Sequence, residues 1–136
     1  MKIIETPLKD LYIIEPTVFA DNRGFFFESF NSKKLEDAGL NYNFIQDNHS
    51  KSSYGVLRGL HFQNSPFAQA KLVRVTQGKV LDVVVDIRKD SPTFLQHYSL
   101  ELSAENKLQL YNLFLKVSNM LKSFRKFFVN FLQNIL

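Results

Sequence analysis

The chain has 136 residues, with 14 Phe, 5 Tyr, no Trp and no Cys. That length suits one domain with a modest core, and the lack of cysteine excludes disulfides and thiolate metal sites. The formal charge of +4 sits at one end: residues 1–102 balance twelve basic against twelve acidic side chains, while residues 103–136 carry five basic groups and one acid, so a nucleic-acid surface on the main body gains no support.

The opening MKIIETPLKD has no apolar run of the kind a signal peptide needs. No stretch reaches the roughly 18 apolar residues of a membrane span. A cytoplasmic protein is the expectation. Leu11–Phe19 reads as extended, with Pro16 marking an edge or bulge. Asp21–Gly24 is a turn, and Phe25–Phe30 a strand. Asn31 or Ser32 caps a short helix over Lys33–Ala38 that Gly39 ends. Phe44–Ser53 follows as a strand with Gln46, Asn48 and Ser50 on one face. Then come a turn at Tyr54-Gly55, a strand over Val56–Gln63 and a loop over Asn64–Ala70. Lys71–Thr76 and Lys79–Ile87 read as a hairpin about Gln77-Gly78, and Phe94–Leu102 as a further strand. Short strands with turns every 8–12 residues predict a β-sandwich or barrel.

The tail has another period. Leu110, Phe114, Val117, Leu121, Phe124, Phe128, Phe131 and Ile135 recur at alternating steps of four and three, which predicts an amphipathic helix. The expected organisation is a body over residues 1–111 and a divergent tail over residues 112–136.

The polar groups that could do chemistry gather between Phe44 and Arg88: Gln46, Asp47, Asn48, His49, Arg58, His61, Gln63 and Lys71. Taken singly, each has a bland reading. A lone strand histidine is usually a satisfied polar residue, and Lys71 or Arg58 could be a solvated charge of little energetic weight. Glu28, between aromatics, is harder to dismiss, because a carboxylate on a buried face needs a partner.

Together, QDN at 46–48, GVLRGLHFQ at 55–63, PFAQAKLVRV at 66–75, GKVLDVVVDIRKDSPTF at 78–94 and LSAEN at 102–106 closely resemble the dTDP-4-dehydrorhamnose 3,5-epimerases, over about residues 1–111. The resemblance implies a mainly β, cupin-like jelly roll that works as a dimer. It implies a dTDP-linked 4-keto sugar as substrate and no cofactor. Its ketone acidifies the neighbouring C–H bonds, so epimerisation needs a base, an electrophile for the enolate oxygen and an acid on the other face. By the same resemblance His61 is the base and Lys71 the cation beside the developing oxyanion. Gln46, Asp47, Asn48 and Arg58 hold the sugar and diphosphate; an Arg engages two phosphate oxygens at once. Arg23 and Glu28 reach the nucleotide of a partner subunit. No metal is expected: the place where many cupins carry His-x-His reads His61-Phe62-Gln63, and His49 and His97 stand apart.

Arg58 and His61 lie an odd step of three positions apart, so an ideal strand turns them to opposite faces. Service in one site requires an irregularity, and Gly59 is where a bulge is tolerated.

After Tyr111 the chain departs from the family pattern. The family's Ile-Pro-x-Gly-Phe motif, its acidic Tyr and its base-orienting carboxylate are missing in register, and with them the closing strands, so the jelly roll is expected to be incomplete. The tail helix then covers the open edges or lies on a membrane surface. Three readings stand: an epimerase, a non-catalytic remnant that binds dTDP-sugars, and a membrane-surface or partner-binding module that uses the tail. The abrupt change also fits out-of-frame translation. Codons permitted for Leu113–Leu121, CTA TTC CTA AAG GTT TCG AAC ATG CTT, read from the third base of the first, encode Ile-Pro-Lys-Gly-Phe-Glu-His-Ala.

Overall fold

A computed structural model describes residues 1–64, 67–112, 117–123 and 127–135, the last two as strands. Ser65 and Pro66 of the expected loop, with positions 113–116, 124–126 and 136 of the tail, lie outside the described residues. Among the described residues, twelve strands and one short helix follow in the order β1(Lys2–Glu5), β2(Leu11–Glu15), β3(Val18–Asp21), β4(Gly24–Phe27), α1(Ser32–Asp37), β5(Gln46–Ser52), β6(Leu57–His61), β7(Gln69–Gln77), β8(Lys79–Asp86), β9(His97–Ser103), β10(Gln109–Asn112), β11(Val117–Ser123) and β12(Phe127–Ile135).

The strands build a six-stranded sheet, β1-β2-β10-β7-β12-β5, and a four-stranded sheet, β6-β11-β8-β9; β3 and β4 form a separate hairpin. Every pairing is antiparallel. This is the two-layer β architecture that strand spacing predicts and the jelly roll that the resemblance implies. The expected continuous segment Leu11–Phe19 breaks at Pro16 into β2 and β3, because proline cannot donate to a ladder.

One apolar layer lies between the sheets. Leu11, Ile13, Val73, Val75 and Leu110 from the six-stranded sheet meet Val80, Val84 and Leu102 from the four-stranded one. A second cluster lies on the outer face of the six-stranded sheet, where Leu35 and Leu40 cover Ile14, Leu72 and Tyr111. The helix that brings Leu35 there starts at Asn31, whose side chain accepts from the Lys34 amide at 3.1 Å. Gly39, at φ +81°, turns the chain away after it. Burying Leu35 contributes about 1.5–3 kcal/mol.

Three expectations are corrected. Gln77-Gly78 does not close a hairpin: β7 belongs to one sheet and β8 to the other, so the turn, with Gly78 at φ +74°, is a corner between layers. The tail is not helical over 117–123 and 127–135. There β11 lies between β6 and β8, and β12 between β5 and β7, so both sheets are continuous where open edges were expected. The four-and-three spacing gives a helix one apolar stripe. A slot between two strands gives the backbone hydrogen-bonding partners on both sides, and tertiary pairing overrides local period. The membrane-surface reading of those residues loses the helix it rested on. Among the described residues, no helix is long and apolar enough to cross a membrane.

Candidate functional site

Cross-strand register shows which polar residues face the gap between the sheets. On β8 the fully buried positions are Val80, Asp82, Val84 and Asp86, an alternation that fixes the inner face. Asp82 pairs with position 121 and Val84 with 119; across β11, those positions pair with Arg58 and His61. Directly opposed residues share a face. Arg58, His61, Asp82 and Val84 therefore all lie on the inner side of the four-stranded sheet. Between Arg58 and His61 the register slips: β6 advances three residues while β11 advances two. This is the irregularity expected at Gly59, which adopts φ +119°.

On the six-stranded sheet, Lys71 has the parity of Val73 and Val75, both in the inner core. Through β12, Lys71 aligns with Gln46, Val73 with Asn48, and Val75 with Ser50. The inner face there carries Gln46, Asn48, Ser50 and Lys71, and the Gln46 amide donates to Asn48 Oδ1 at 3.3 Å. Asp47 and His49 have the opposite parity and align with Leu72 and Arg74 on the outer face. The structure thus brings together Gln46, Asn48, Arg58, His61 and Lys71 and leaves Asp47 outside that set.

Two contacts tune the interior. Burial pushes the Lys71 ammonium below the ordinary lysine value, and the Asp82 carboxylate across the gap partly restores it. Asp82 is completely buried. Arg58 reaches from one sheet to the other, donating through Nε to Ser52 Oγ at 2.8 Å and through an Nη to the Lys51 carbonyl at 3.2 Å. These contacts hold the edge strands β5 and β6 together at the mouth of the gap. Among the described residues, no three His, Asp or Glu side chains group as a metal site would require.

Arg23 and Glu28 sit elsewhere. Arg23, at the tip of the β3–β4 hairpin, is bound by Asp21 through its backbone amide and guanidinium. Glu28 accepts from Lys34 Nζ at 2.7 Å and Asn31 Nδ2 at 3.1 Å. The hairpin presents Phe19, Phe25 and Phe26 at 60–70 % exposure around a concavity of about 480 Å³. Two contacts anchor it to the body: Lys107 Nζ lies 4.4 Å from the centre of the Phe25 ring, and Gln109 Nε2 donates to the Ser29 carbonyl at 2.9 Å.

Sequence reasoning passed over Asp82 and Ser52. The signal for Asp82 was available: an acid at the parity of Val80 and Val84 is buried and needs a cation. Nothing local marks Ser52, whose importance depends on where Arg58 reaches.

A two-layer jelly roll with imidazole, ammonium, guanidinium and amide groups turned into the gap is a cupin-type barrel furnished for a polar, anionic ligand. The dTDP-4-dehydrorhamnose 3,5-epimerase family model matches residues 5–112, and the chain belongs to that family. A relative from Shigella flexneri, a dTDP-4-dehydrorhamnose 3,5-epimerase, is 59 % identical over 112 residues, 82 % of this chain and 62 % of its own length. The chain thus spans about three fifths of that relative. The crystal structure of the Elizabethkingia anophelis dTDP-4-dehydrorhamnose 3,5-epimerase superposes with a TM-score of 0.93 at 51 % identity, covering 100 % of this chain and 75 % of that one. A Legionella pneumophila 3,5-epimerase solved with dTDP-4-keto-L-rhamnose gives a TM-score of 0.93 at 42 % identity, covering 99 % and 72 %.

Proposed function

We propose that this chain binds a dTDP-linked 4-keto-6-deoxy sugar between its sheets and epimerises it, converting dTDP-4-dehydro-6-deoxy-D-glucose to dTDP-4-dehydro-L-rhamnose. The observation that carries this reading is the register that puts Gln46, Asn48, Arg58, His61 and Lys71 on facing inner surfaces. His61 removes the proton beside the ketone. Lys71, kept inside the barrel near Asp82, balances the charge that develops on the ketone oxygen, an interaction strengthened by the burial of the ammonium. Arg58 supplies the planar fork that suits a diphosphate; Gln46 and Asn48 supply amides for sugar hydroxyls. Asp47 lies on the far face, so it acts on the ligand only through its neighbours in β5.

The working unit we infer is a homodimer. The exposed phenylalanines of the β3–β4 hairpin form a surface that a second copy can cover, and in that arrangement Arg23 and Glu28 reach the partner's nucleotide. The test is conversion of the 4-keto sugar by purified full chain, followed by proton NMR, with His61→Ala as control. Loss of about 10²–10⁴-fold in the variant is expected; equal rates in both proteins defeat the assignment. A second reading, a dTDP-sugar binder without turnover, is favoured by one observation: the match to the family model ends at residue 112. Tight equilibrium binding with no conversion identifies it.

A further inference from the structure

An arginine side chain offers its N–H groups in one plane, and they divide into two edges. One edge carries Nε–H with a hydrogen of Nη2; the other carries Nη1 with the second hydrogen of Nη2. In Arg58 the first edge is taken. Nε donates to Ser52 Oγ at 2.8 Å and Nη2 to the Lys51 carbonyl at 3.2 Å. Both acceptors belong to the end of β5, and Ser52 is 5 % exposed although Arg58 itself is exposed. Among the described residues no group bonds the second edge. That edge can engage two oxygens of one phosphate group. The kind of acceptor matters as much as its place. Arg23 is held by the Asp21 carboxylate, and Arg88 by the carboxylates of Asp86 and Asp10. Those partners offset the charge they hold. Ser52 and Lys51 offer Arg58 a hydroxyl and a carbonyl, which orient the guanidinium and leave its charge for an anion.

We propose that Ser52 is a positioning residue for Arg58: it fixes the guanidinium by its Nε edge so that the Nη edge meets the diphosphate of a dTDP-linked ligand. The inference deepens the reading above and rests on it for the ligand. Register supports it. Ser52 has the parity of Gln46 and Asn48 along β5, so its hydroxyl is on the inner side of the six-stranded sheet. Arg58 is on the inner side of the four-stranded one. Their hydrogen bond joins the two layers on the side where the Gln46 and Asn48 amides lie, so one hydroxyl sets the place of the cation relative to amides on the same strand. A long side chain loses freedom when it is fixed. Here part of that loss is incurred on folding and not on binding, which favours the complex.

The experiment is a double-mutant cycle on the full chain, read by isothermal titration with dTDP. Ser52→Ala is expected to bind about three- to tenfold more weakly than wild type, the size of the ordering that a preorganised side chain avoids. Arg58→Ala is expected to bind more weakly still. With Arg58 already replaced, adding Ser52→Ala is expected to change the dissociation constant by less than about 1.5-fold, because Ser52 then has nothing to hold. An equal loss in both backgrounds overturns the proposal and leaves Ser52 as a support of the strand alone. So does a Ser52→Ala protein that binds dTDP like wild type; a loss confined to Arg58→Ala then keeps Arg58 in the site. A wild-type protein that does not bind dTDP overturns the ligand reading and this proposal together. A second measurement needs no change at Ser52. In ¹⁵N-labelled wild type the Arg58 Nε–H resonance is assigned by its absence from Arg58→Lys. It is expected to exchange with solvent at least about tenfold more slowly than that of an exposed arginine, before and after dTDP is added. Exchange at the exposed rate in the ligand-free protein overturns the proposal, whether or not Ser52→Ala folds.

Discussion

Arg58 and His61, three residues apart on one strand, share a face because the neighbouring strand advances only two residues alongside them. The extra residue is taken up around Gly59, at a φ of +119° that side chains rarely tolerate. Gly59→Val is therefore expected to cost about 1–3 kcal/mol and to weaken dTDP binding by splitting the pair. Deleting Gly59 leaves Arg58 and His61 two apart, on one face of a regular strand, and is expected to preserve binding better than the substitution. Isothermal titration with dTDP ranks the two variants; the reverse order would sink the account.

A second expectation concerns Asp86. Burial alone would raise its carboxyl, but hydrogen bonds from Arg88, Ser91 and Thr93 win and hold it well below the usual carboxylate range. Arg88 carries the link on to Asp10 at 2.9 Å and the Lys9 carbonyl at 3.2 Å. Asp86→Ala takes the shared acceptor from Arg88, Ser91 and Thr93 while Arg88 keeps Asp10, so a loss of about 1–3 kcal/mol is expected. The sign of the pH effect follows from the lowered folded value. The stabilisation is complete above the unfolded carboxyl's value of about 4, and is lost as pH falls through the folded one. Urea titrations at pH 7 and at pH 3 should show a larger difference for wild type than for Asp86→Asn. Parallel losses in both proteins would count against this network.

Lys71 gives the same sign in the alkaline range for a different reason, since burial disfavours its charged form. Its value is lowered on folding, so on alkaline titration the unfolded chain holds the proton longer, and stability rises with pH between the folded and unfolded lysine values. Lys71→Met removes the titrating ammonium and is expected to flatten that rise, and it lowers stability at neutral pH because the buried Asp82 loses the cation it faces. Chemical denaturation between pH 7 and pH 10 checks it; a rise of wild-type size in Lys71→Met would take Lys71 out of the account.

The hairpin prediction is one of assembly. Phe26 is 70 % exposed, so Phe26→Ser should leave the fold within about 0.5 kcal/mol of wild type. If the hairpin is the contact between copies, losing a central aromatic should weaken the dimer at least about tenfold, or 1.4 kcal/mol. Sedimentation of the two proteins decides it, and an unchanged monomer–dimer constant would remove the hairpin from the interface.

A last expectation lies in the gene. The family match ends at residue 112, and the Leu113–Leu121 segment can be recoded to Ile-Pro-Lys-Gly-Phe-Glu-His-Ala. Strand placement of 117–123 and 127–135 is compatible with an out-of-frame origin, because ladder hydrogen bonds use the backbone and not the side chains. Sequencing the DNA is expected to find an Ile-Pro-x-Gly-Phe-x-His reading in another frame. Its absence makes the tail a genuine product of this gene's own frame.

How far the fold could be read from sequence depends on how local each signal is. The Asn31 cap and the Gly59 irregularity are set by neighbours within a few residues, and both were legible. The corner at Gln77-Gly78 was not, since a two-residue turn looks the same whether its arms pair or part. The tail was misjudged because a stripe at steps of four and three says nothing of vacant slots between β5 and β7 or β6 and β8. In the site, the parity of Gln46 and Asn48 was readable, whereas the alignment of Lys71 with Gln46 runs through β12 and could only be seen folded.

The positions of β11 and β12 also bear on how the chain acquires its shape during synthesis. Strands β11 and β12, made after the strands they separate, fill interior slots of both sheets, and β2 finds its neighbour β10 about a hundred residues later. Until then β5, β6, β7 and β8 wait with open ladders. Pairings so remote along the chain form slowly, and waiting strand edges recruit one another between molecules. The yield of native protein should therefore depend on growth temperature and chaperone supply more than the stability of the finished fold suggests.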